Sequence, residues 1–491
     1  MPPIFATEPT SFIDGAFLPA GDGFELPVFD PTSGQQASAL READAAEVDA
    51  AVKAARAAFG PWSALGSEAR SNVLQAIDAK LRAHGDELAE LEARTSGLPI
   101  SGVRPLIDRA AENFKRFAEV ASMMAGETFQ QNEKYLTYTT REAKGVAALI
   151  APWNAPLALG SMRLATCIAF GNTCVLKPSE YTPQSTLRMV ELMHEAGLPK
   201  GVVNVVNGRG SVTGEALTTH PDIDMIGFTG GTTTGRRIMA AAGERLTPVT
   251  MELGGKSAAI VAPDADLERA LDGTLLAIYA SNGQQCLGGS RILVHESIAE
   301  EFIAAFVARA KAIRIGDPCD PATEMGPLAF EAHRAHVQHY LEVAREDGAE
   351  ILHGGTAPEG RTQGWFMEPI VARAPSNAAR ICQEEIFGPF ATFLTYSDLD
   401  EAIAMANASD FGLVSYVWTR DLATAMACSA RIRAGTIWVN TPMMRELRAP
   451  FGGYKESGIG RDGARHCADF FTEAKTTSIP LEDTPIRRLG A

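Results

Sequence analysis

The sequence predicts an α/β protein with two successive α/β domains, each built on a parallel sheet. A strand–turn–helix alternation begins near residue 146, and a second alternation begins after MELGGK at 251–256. Short β-rich runs that alternate with helices are typical of βαβ units, whose sheets are covered on both faces. The length of 491 residues agrees with this division, because a single core rarely grows beyond about 250–300 residues.

A helical region precedes the first alternation. Between about 44 and 120, apolar residues recur at three- and four-residue spacing, the pattern of amphipathic helices. In the alternating regions, apolar runs that end in glycine, proline or polar turns are the predicted strands. These runs are VAALIAPWN (146–154), NTCVLKPSE (172–180), VVNVVNG (202–208), DMIGFTG (224–230), AAIVAP (258–263), RILVH (291–295), FATFLTY (390–396) and SYVWT (415–419).

Two segments fit neither alternation. NEKYLTYTTREAKG at 132–145 is rich in threonine and tyrosine, which predicts one or two exposed strands. The tail TEAKTTSIPLEDTPIRRLG at 472–490 is also predicted to be extended. We expect this tail to pair with strands elsewhere, including those of a neighbouring subunit.

The composition limits the classes of function. Apolar residues make up 46% of the chain, and the net charge of −16 disfavours nucleic acid and anionic membranes as partners. No run approaches the roughly 18 apolar residues of a membrane span, and the first fifteen residues lack the features of a signal peptide. The seven cysteines form no CxxC pair, which favours neither disulfides nor a zinc site. We therefore expect a cytoplasmic protein without a metal site.

Two motifs of the first alternating region are candidates for binding a dinucleotide. FTGGTTTG at 228–235 follows a strand and opens a helix, where glycines admit a close ligand and free N–H groups favour anions. It is not GxGxxG, and a tight turn is an equally good interpretation. LKPSE at 176–180 ends an earlier strand, so Lys177 and Glu180 are placed to hold ribose hydroxyls, or else form a loop ion pair. A carboxylate near the 2′-hydroxyl favours NAD over NADP.

Three residues in other turns are candidates for catalysis. Cys286 lies in SNGQQCLGGSR, where glycines give access to a nucleophilic thiol, although a small buried filler is the commoner role of a free cysteine. Glu252 ends a strand in MELGGK, so its carboxyl is a candidate buried base or a cap of the glycine turn. Asn154 in APWNAP is a candidate donor to an oxyanion, or a turn residue or N-cap.

The order of the motifs is more specific than any one of them. PWN, KPSE, FTGGTTTG, ELGGK, GQQC, EEIFGPF and PFGGYKESGIGR follow one another along the chain. With this series the sequence resembles the aldehyde dehydrogenase superfamily from about residue 10 to the end. The resemblance implies a Rossmann-like NAD-binding domain at 1–122 and 143–252, an α/β catalytic domain at 253–455, and oligomerisation segments at 123–142 and 470–491. It also implies a homo-oligomer, for which we expect a tetramer, as a dimer of dimers, rather than a dimer.

The resemblance assigns a role to each catalytic candidate. Cys286 matches the nucleophile that attacks the aldehyde carbon to form a thiohemiacetal, and Asn154 with the Cys286 backbone N–H matches the oxyanion hole. Hydride transfer to nicotinamide then leaves a thioester, and Glu252 matches the base that activates water to hydrolyse it. Lys177 completes the expected catalytic set.

The expected cofactor is NAD, with NADP as the less favoured alternative. Lys177 and Glu180 match ligands of the adenosine ribose, and the loop 230–235 matches part of the cradle for adenine and pyrophosphate. Glu385 and Phe387, in EEIFGPF, match the residues that place the nicotinamide ribose and ring. The full expected set of cofactor residues is Pro152, Trp153, Lys177, Ser179, Glu180, Gly210, Gly214, Phe228, Gly230, Gly231, Thr234, Leu253, Glu385 and Phe387.

Two positions depart from the family pattern. Gly231 stands where many members have serine, so a hydroxyl that contacts phosphate is missing and cofactor binding is expected to be weaker. Asp462 stands where the family usually has glutamate, which puts a proton-relay role at that position in doubt.

Arginines in two stretches point to the substrate. NTPMMRELRAPFGG carries Arg445 and Arg448, and SGVRPLIDRAAENFKRFAEV carries Arg109. Both stretches and the PIRRLG ending resemble the hydroxymuconic semialdehyde dehydrogenases of aromatic catabolism, especially the 5-carboxymethyl-2-hydroxymuconate type. Their substrates carry a carboxylate distant from the aldehyde, which an arginine pair suits. The resemblance assigns Arg109 and Arg448 to the mouth of the substrate channel; surface or interface ion pairs are the alternative.

Other functions stay open at this point. Within the superfamily, a benzaldehyde- or vanillin-type aromatic aldehyde and betaine aldehyde are alternative substrates. A binding protein with a dead site is disfavoured because thiol, base and oxyanion donor are all present. Glu252 disfavours a CoA-acylating enzyme, and the cofactor motifs disfavour a thioesterase.

Overall fold

The computed structural model describes residues 10–19 and 24–490. Residues 1–9, part of the stretch in which we expect no signal peptide, lie outside the described residues. Residue 491, the last of the predicted segment 470–491, lies outside them as well.

The helices of the described residues include every helical region that the periodicity predicted. They are α1 Ala45–Ala64, α2 Ser67–Ala83, α3 Gly85–Ser96, α4 Ile100–Ser122, α5 Pro156–Ala169, α6 Gln184–Glu195, α7 Glu215–Thr218, α8 Thr232–Gly243, α9 Leu267–Tyr279, α10 Ala299–Lys311, α11 Glu331–Glu346, α12 Arg380–Gln383, α13 Leu399–Asn407, α14 Leu422–Arg431 and α15 Ala464–Phe471. Aspartate side chains cap the first turns of α1, α9, α13 and α14, where they accept backbone N–H groups. Within the described ranges, no helix combines the length and apolar composition that a bilayer crossing requires.

The strands of the described residues overlap all eight predicted runs: RILVH and FATFLTY match their strands in full, SYVWT is offset by one residue, and the other five strands are shorter than their runs. They are β1 Phe12–Ile13, β2 Ala16–Phe17, β3 Glu25–Phe29, β4 Gln36–Arg41, β5 Thr128–Asn132, β6 Tyr135–Ala143, β7 Val146–Ile150, β8 Thr173–Lys177, β9 Val203–Val205, β10 Met225–Thr229, β11 Val249–Glu252, β12 Ala258–Val261, β13 Arg291–His295, β14 Glu350–His353, β15 Ile370–Arg373, β16 Phe390–Tyr396, β17 Phe411–Gly412, β18 Val414–Trp418, β19 Thr436–Val439, β20 Tyr454–Lys455, β21 Gly458–Ile459 and β22 Thr472–Pro480.

Two large sheets carry the fold. In the first, the order is β2-β1-β9-β8-β7-β10-β11-β21, and the five strands from β9 to β11 are parallel. In the second, the order is β14-β15-β16-β13-β12-β18-β19, parallel apart from the edge strand β14. The central strands of both sheets are buried along nearly their whole length, as continuous apolar runs require. The predicted α/β class with parallel sheets is therefore confirmed.

The ribbon and the tail form a third, smaller sheet. Strand β22 pairs with β6 from Thr472 opposite Ala143 to Pro480 opposite Tyr135, and β5 pairs with the other edge of β6. The tail thus pairs with a strand of its own chain. Helix α15 makes this possible, because it packs on the core of the first sheet and delivers the chain beside β6.

Parallel strands end at a common edge, and this edge collects the candidate residues. Lys177, the last residue of β8, and Glu252, the last of β11, belong to the same sheet, and Asn154 follows β7. Open α/β sheets bind their ligands beyond the carboxyl ends of such strands. The fold therefore places these residues where a ligand site is expected.

A buried carboxylate fixes the helix that follows Asn154. Glu92 on α3 is fully buried, and its Oε2 accepts the backbone N–H of Leu157 in the first turn of α5 at 3.1 Å and the hydroxyl of Ser185 at 3.1 Å. The N-terminal N–H groups of a helix need acceptors, and the residue before α5 offers no side-chain cap. Burial raises the pKa of Glu92 to about 7. Glu92 thus joins α3, α5 and α6 beneath the Asn154 turn.

Replacing Glu92 by alanine leaves the Leu157 N–H without its acceptor. We expect the free energy of unfolding to fall by about 1–3 kcal/mol, the cost of an unsatisfied buried donor. Urea denaturation at fixed protein concentration measures it. Glu90→Ala is the matched control on the same helix: its exposed ion pair with Arg94 is expected to contribute less than about 0.5 kcal/mol. Equal losses in the two variants would contradict the role of Glu92.

Candidate active site

The loop that carries the cysteine is anchored. It leaves α9 through a 3₁₀ turn, Ala280–Gly283, in which Asn282 has φ of 58°. This left-handed conformation is costly for residues other than glycine and needs support from neighbours. The Asn282 amide nitrogen donates to the carbonyl oxygens of Gly97 at 2.8 Å and Pro327 at 2.9 Å, and its amide oxygen accepts a backbone N–H. Cys286 is therefore presented by a rigid turn.

Two cavities meet at this cysteine. The larger has a volume of about 250 Å³ and the smaller about 100 Å³, and both are lined by Cys286, Asn154 and Glu252. Residues of the larger cavity alone include Pro152, Trp153, Gly230, Gly231, Leu253, Gly254, Phe330, His333, His336, Glu385 and Phe387. Residues of the smaller cavity alone include Leu106, Arg109, Met162, Arg163, Gln285, Leu287, Arg445, Phe451 and Asp462.

Asn154 is oriented beside the thiol. Its Nδ2 donates to the carbonyl oxygen of Gln284 at 2.9 Å, and its side chain is almost fully buried. A side-chain amide carries two N–H groups, so this bond orients the second without consuming it. Together with the Cys286 backbone N–H, that group is a donor of the kind that stabilises an oxyanion.

Burial controls the protonation of the cysteine. Burial first, and then Glu385 and Glu252, raises the pKa of Cys286 to about 12, whereas Arg445 acts in the opposite direction. Since this value lies well above 7, the group is a thiol at neutral pH. Its attack on an electrophile therefore requires a proton acceptor.

Glu252 is a buried carboxyl with an open oxygen. Its Oε1 has no hydrogen-bond partner among the described residues. Burial and the neighbouring Asp462 hold its pKa well above the usual range, and Arg163 and Arg445 oppose this shift. A carboxyl of this kind is suited to accept a proton near neutral pH.

Asp462 is engaged by an arginine. Its Oδ1 accepts from Arg163 Nη1 at 2.9 Å, and both side chains are buried in the wall of the smaller cavity. Arg163 also donates to the hydroxyl of Thr229. At the position where the family usually has glutamate, the shorter carboxylate is thus held by an ion pair and acts on Glu252 through its charge.

Glu385 and the turn after Glu252 fit each other closely. Glu385 Oε1 accepts the backbone N–H of Gly255 at 2.9 Å, and a Cβ at Gly254 would lie 2.0 Å from its Oε2. Burial raises the pKa of Glu385 to about 7. The glycine at 254 is therefore what allows this carboxyl into the larger cavity.

Rings form one wall of the larger cavity. Phe387, at φ of 58°, meets Trp153 edge-on at 5.3 Å, and His333 lies 4.8 Å from the same indole. Burial lowers the pKa of His333 to about 4, so the ring is neutral at pH 7 and its Nε2 donates to the Phe387 carbonyl oxygen at 2.8 Å. Phe330 stacks on Tyr181 at 3.7 Å, which joins the two halves of the molecule across this wall. The sequence analysis missed His333 and Phe330, since neither belongs to one of its motifs.

A second polar group lies beyond the end of β8. Lys177 Nζ is 3.2 Å from Glu180 Oε2 and donates to the Pro178 carbonyl oxygen at 3.0 Å. A Cβ at Gly214, which ends the π-helical turn Gly210–Gly214, would lie 3.6 Å from Lys177 Cδ. Burial lowers the pKa of Lys177, and the charge of Glu180 opposes this shift. Lysine, carboxylate and glycine turn thus form one patch that suits a ribose.

The glycine turn before α8 is bare and suits a phosphate. Gly231 is the N-cap of α8 and supplies no side-chain cap, while the Thr232 hydroxyl is buried without a partner among the described residues. A Cβ at Gly230 would lie 2.6 Å from the Phe228 ring, whereas one at Gly231 would meet nothing within 4 Å. Free N–H groups at a helix start attract anions. The chain thus offers a ribose patch, an anion site and an aromatic wall, which together fit a dinucleotide.

Arg109 and Arg445 line the smaller cavity and also an open depression on the surface above it. Burial, together with the charge of Arg445, lowers the pKa of Arg109 to about 10, and its Nε has no hydrogen-bond partner among the described residues. Arg445 lies over the Phe451 ring at 3.6 Å. Within the described part of the chain, neither guanidinium forms an ion pair. Two adjacent, partly buried cations without an acidic partner are suited to bind an anion.

Arg448 does not join them, which corrects the expectation that Arg109 and Arg448 act together. Its side chain is 70% exposed, and its Nε and Nη2 lie 2.9 Å from the carboxylate of Glu446. The carboxylate two residues earlier neutralises Arg448 at the surface, and Arg445 takes the place beside Arg109.

Comparison with known proteins agrees with this site. The aldehyde dehydrogenase family profile matches residues 18–477. The chain belongs to the aldehyde dehydrogenase family. It is thus an oxidoreductase that acts on aldehydes, as the sequence resemblance implied.

Its relatives differ in the aldehydes for which they are named. A 2-hydroxymuconic semialdehyde dehydrogenase of Pseudomonas sp. (strain CF600) is 40% identical over 96% of this chain and 99% of the relative. A 5-carboxymethyl-2-hydroxymuconate semialdehyde dehydrogenase of Escherichia coli is 41% identical over 90% and 95%. A betaine aldehyde dehydrogenase of Brucella melitensis biotype 2 (strain ATCC 23457) is also 41% identical, over 96% and 97%.

A solved structure bears on the cofactor. PnpE in complex with nicotinamide adenine dinucleotide superposes with a TM-score of 0.95 at 42% identity, over 98% of this aldehyde dehydrogenase and 99% of PnpE. A protein of this fold that is 42% identical to the chain thus binds nicotinamide adenine dinucleotide.

The predicted catalytic and cofactor residues of this aldehyde dehydrogenase fall into two groups. Those that line the larger cavity are Pro152, Trp153, Asn154, Gly230, Gly231, Glu252, Leu253, Cys286, Glu385 and Phe387. Those that lie outside both cavities, toward the ribose patch and the start of α8, are Lys177, Ser179, Glu180, Gly210, Gly214, Phe228 and Thr234. Thr234 is exposed, and Phe228 is buried beneath Gly230.

Adding a hydroxyl at Gly231 should improve cofactor binding. The open space around Gly231 admits a serine without displacement, and one new hydrogen bond to phosphate is worth about 0.5–1.5 kcal/mol. We expect Gly231→Ser to lower the Kd for NAD about threefold to tenfold, measured by isothermal titration calorimetry. Gly231→Ala, the control without a hydroxyl, should leave the Kd nearly unchanged. A serine variant no tighter than the alanine variant would show that this turn does not face the phosphates.

Proposed function

We propose that this enzyme oxidises a carboxylate-bearing semialdehyde of aromatic catabolism to the acid, with NAD as cofactor. The candidate substrates are 5-carboxymethyl-2-hydroxymuconate semialdehyde and 2-hydroxymuconate semialdehyde. The observation that carries the proposal is the pair Arg109 and Arg445, two cations without acidic partners in the described residues, in the cavity that ends at Cys286. A betaine aldehyde is itself a cation, so the same arginines disfavour it despite the 41% identity to a betaine aldehyde dehydrogenase.

In the first half-reaction, Cys286 Sγ attacks the aldehyde carbon and the thiol proton passes to a nearby base. The carbonyl oxygen becomes an oxyanion that accepts from the Asn154 amide and the Cys286 backbone N–H. Bound NAD supplies the two-electron acceptor that converts the thiohemiacetal into a thioester. Glu385 and Phe387, with the ring wall, position the nicotinamide end and exclude water from it.

In the second half-reaction, Glu252 removes a proton from water, and the resulting hydroxide attacks the thioester carbon. The carbon–sulfur bond breaks, the carboxylic acid leaves, and the thiol of Cys286 is restored. The unpartnered Oε1 and the raised pKa of Glu252 support this role. Lys177 holds the ribose end of the cofactor through its place beside Glu180.

We also propose a homo-oligomer, a tetramer rather than a dimer, joined through the small sheet of β5, β6 and β22. Phe129, Leu136 and Ile479 are exposed on this sheet in the single chain, and such apolar groups favour burial against another subunit. The molar mass of the enzyme in solution, measured by light scattering, tests this.

Removing either arginine of the smaller cavity should impair acidic substrates selectively. A charge-assisted hydrogen bond contributes about 1.5–3 kcal/mol, so Arg109→Ala and Arg445→Ala are each expected to lower kcat/KM about 10- to 150-fold for an acidic semialdehyde. A neutral aldehyde of similar length should change little, and Arg448→Ala is the control that leaves both unchanged. If acidic and neutral aldehydes lose efficiency equally, the arginines are structural and the acidic-substrate proposal fails. An NADH-production assay with the semialdehydes, aromatic aldehydes and betaine aldehyde makes the comparison.

Removing the charge of Asp462 should shift the pH dependence of deacylation. Asp462 raises the pKa of Glu252, so Asp462→Asn is expected to lower it, and the freed Arg163 acts in the same direction. Glu252 is a base only when deprotonated. The rising limb of the rate should therefore move to lower pH. The rate of deacylation in single-turnover experiments, measured as a function of pH, tests this. The side chain in Glu252→Gln cannot titrate, so deacylation by this variant should be slow and should lack the rising limb. An unshifted limb in Asp462→Asn would refute the coupling.

A further inference from the structure

The ribose patch carries four charged side chains. The proposed function uses two of them, Lys177 and Glu180. The other two are Glu42, in the turn before α1, and Arg209, in the loop after β9. Arg209 immediately precedes Gly210, a residue of the expected cofactor set.

Glu42 holds Arg209 with four hydrogen bonds. Its Oε1 accepts the backbone N–H of Arg209 at 2.8 Å and Nε at 3.0 Å, and its Oε2 accepts Nη2 at 2.6 Å and Nε at 3.2 Å. The Glu42 side chain is only 6% exposed, whereas that of Arg209 is 44% exposed. The guanidinium also lies over the Phe24 ring at 4.8 Å. Arg209 is thus clamped on one side by a buried carboxylate and open to solvent on another.

The two ion pairs belong to one electrostatic unit. The hydrogen bonds between Glu42 and Arg209 lower the pKa of Glu42 and raise that of Arg209. The charge of Lys177 adds to the first shift and the charge of Glu180 adds to the second, so each residue of one pair also acts on the other pair. A Cβ at Gly208 would lie 2.9 Å from Glu42 Cγ, which shows how closely the loop fits this carboxylate. A phosphate placed beside Glu180 would meet two anions, and each nearby cation is already engaged by one of them.

We propose that Glu42 is a second determinant of NAD over NADP, because it withholds Arg209 from a phosphate on the 2′-hydroxyl. This inference rests on the proposed NAD preference through Glu180 and adds a residue that acts through an arginine. Glu180 repels the 2′-phosphate directly. Glu42 acts indirectly, because it engages Arg209, whose attraction to the phosphate would otherwise offset that repulsion.

The substitution Glu42→Gln separates the charge from the shape. Glutamine retains an oxygen that accepts the Arg209 backbone N–H, so the loop keeps its anchor, but the guanidinium loses its counter-ion. The released side chain is free to meet a phosphate in a charge-assisted, bidentate contact. We expect the Kd for NADP to fall about tenfold and the Kd for NAD to change less than about twofold.

A thermodynamic cycle with Arg209 tests the mechanism. Wild type, Glu42→Gln, Arg209→Gln and the double variant are titrated with NAD and with NADP by calorimetry, in the absence of aldehyde. Arg209→Gln alone leaves the negative charge of Glu42 without a counter-ion, so the Kd for NADP should rise several-fold. The double variant should not show the tighter NADP binding expected of Glu42→Gln. Because Arg209 is a surface loop residue, its single variant keeps the test valid if Glu42→Gln does not fold.

Two outcomes overturn the inference: a ratio of NADP to NAD affinity unchanged by both single variants, or a gain in Glu42→Gln that persists without Arg209. Failure of the underlying NAD preference is distinguishable, since wild type would then bind both cofactors equally. Glu180→Gln, titrated in parallel, reports on that preference independently.

Discussion

The three hydrogen bonds of Asn282 hold the reactive loop in a left-handed turn, and the rest of the active site depends on that turn. The loop presses Gly283 so closely against Gly388 that a Cβ would lie 2.3 Å from the backbone there. That contact sets the segment from Glu385 to Phe387 beside the cysteine. The turn also brings the Gln284 carbonyl oxygen within 2.9 Å of Asn154. Cys286, Asn154 and the segment from Glu385 to Phe387 are thus positioned by one local constraint.

Burial is the second requirement of this site, and it sets the charge state of each group. Low exposure to water disfavours the ionised forms of Cys286 and Glu252, so Cys286 is a thiol at neutral pH and the pKa of Glu252 is raised. The arginines around them limit this effect, and the Asp462–Arg163 pair keeps two further charges buried without leaving either unpaired. The arrangement favours a thiol that reacts only when substrate and a proton acceptor are both in place.

The sequence predicted the parts of the molecule that local patterns determine. Apolar runs such as VAALI and RILVH became central parallel strands, and the glycines at 230 and 254 lie where an aromatic ring and a carboxyl approach the backbone. Cys286 was separable from the other cysteines because its neighbours are small and polar. Asn282 lies within the quoted stretch SNGQQCLGGSR, but its anchoring role could not be found this way, because its partners lie 185 and 45 residues away. The tail was predicted to be extended, but its partner β6 depends on the path of α15.

The arginines show why some site residues elude sequence analysis. Arg445 and Arg448 stand three residues apart in one loop, yet the carboxylate of Glu446 neutralises only the second. Arg163 and Arg209 are likewise held by Asp462 and Glu42, partners 299 and 167 residues distant. Whether an arginine of this enzyme is available to a ligand thus depends on whether the fold brings a carboxylate to it. The same physical difference underlies both proposals on selectivity: Arg109 and Arg445 form no ion pair among the described residues, whereas Arg209 is paired with Glu42.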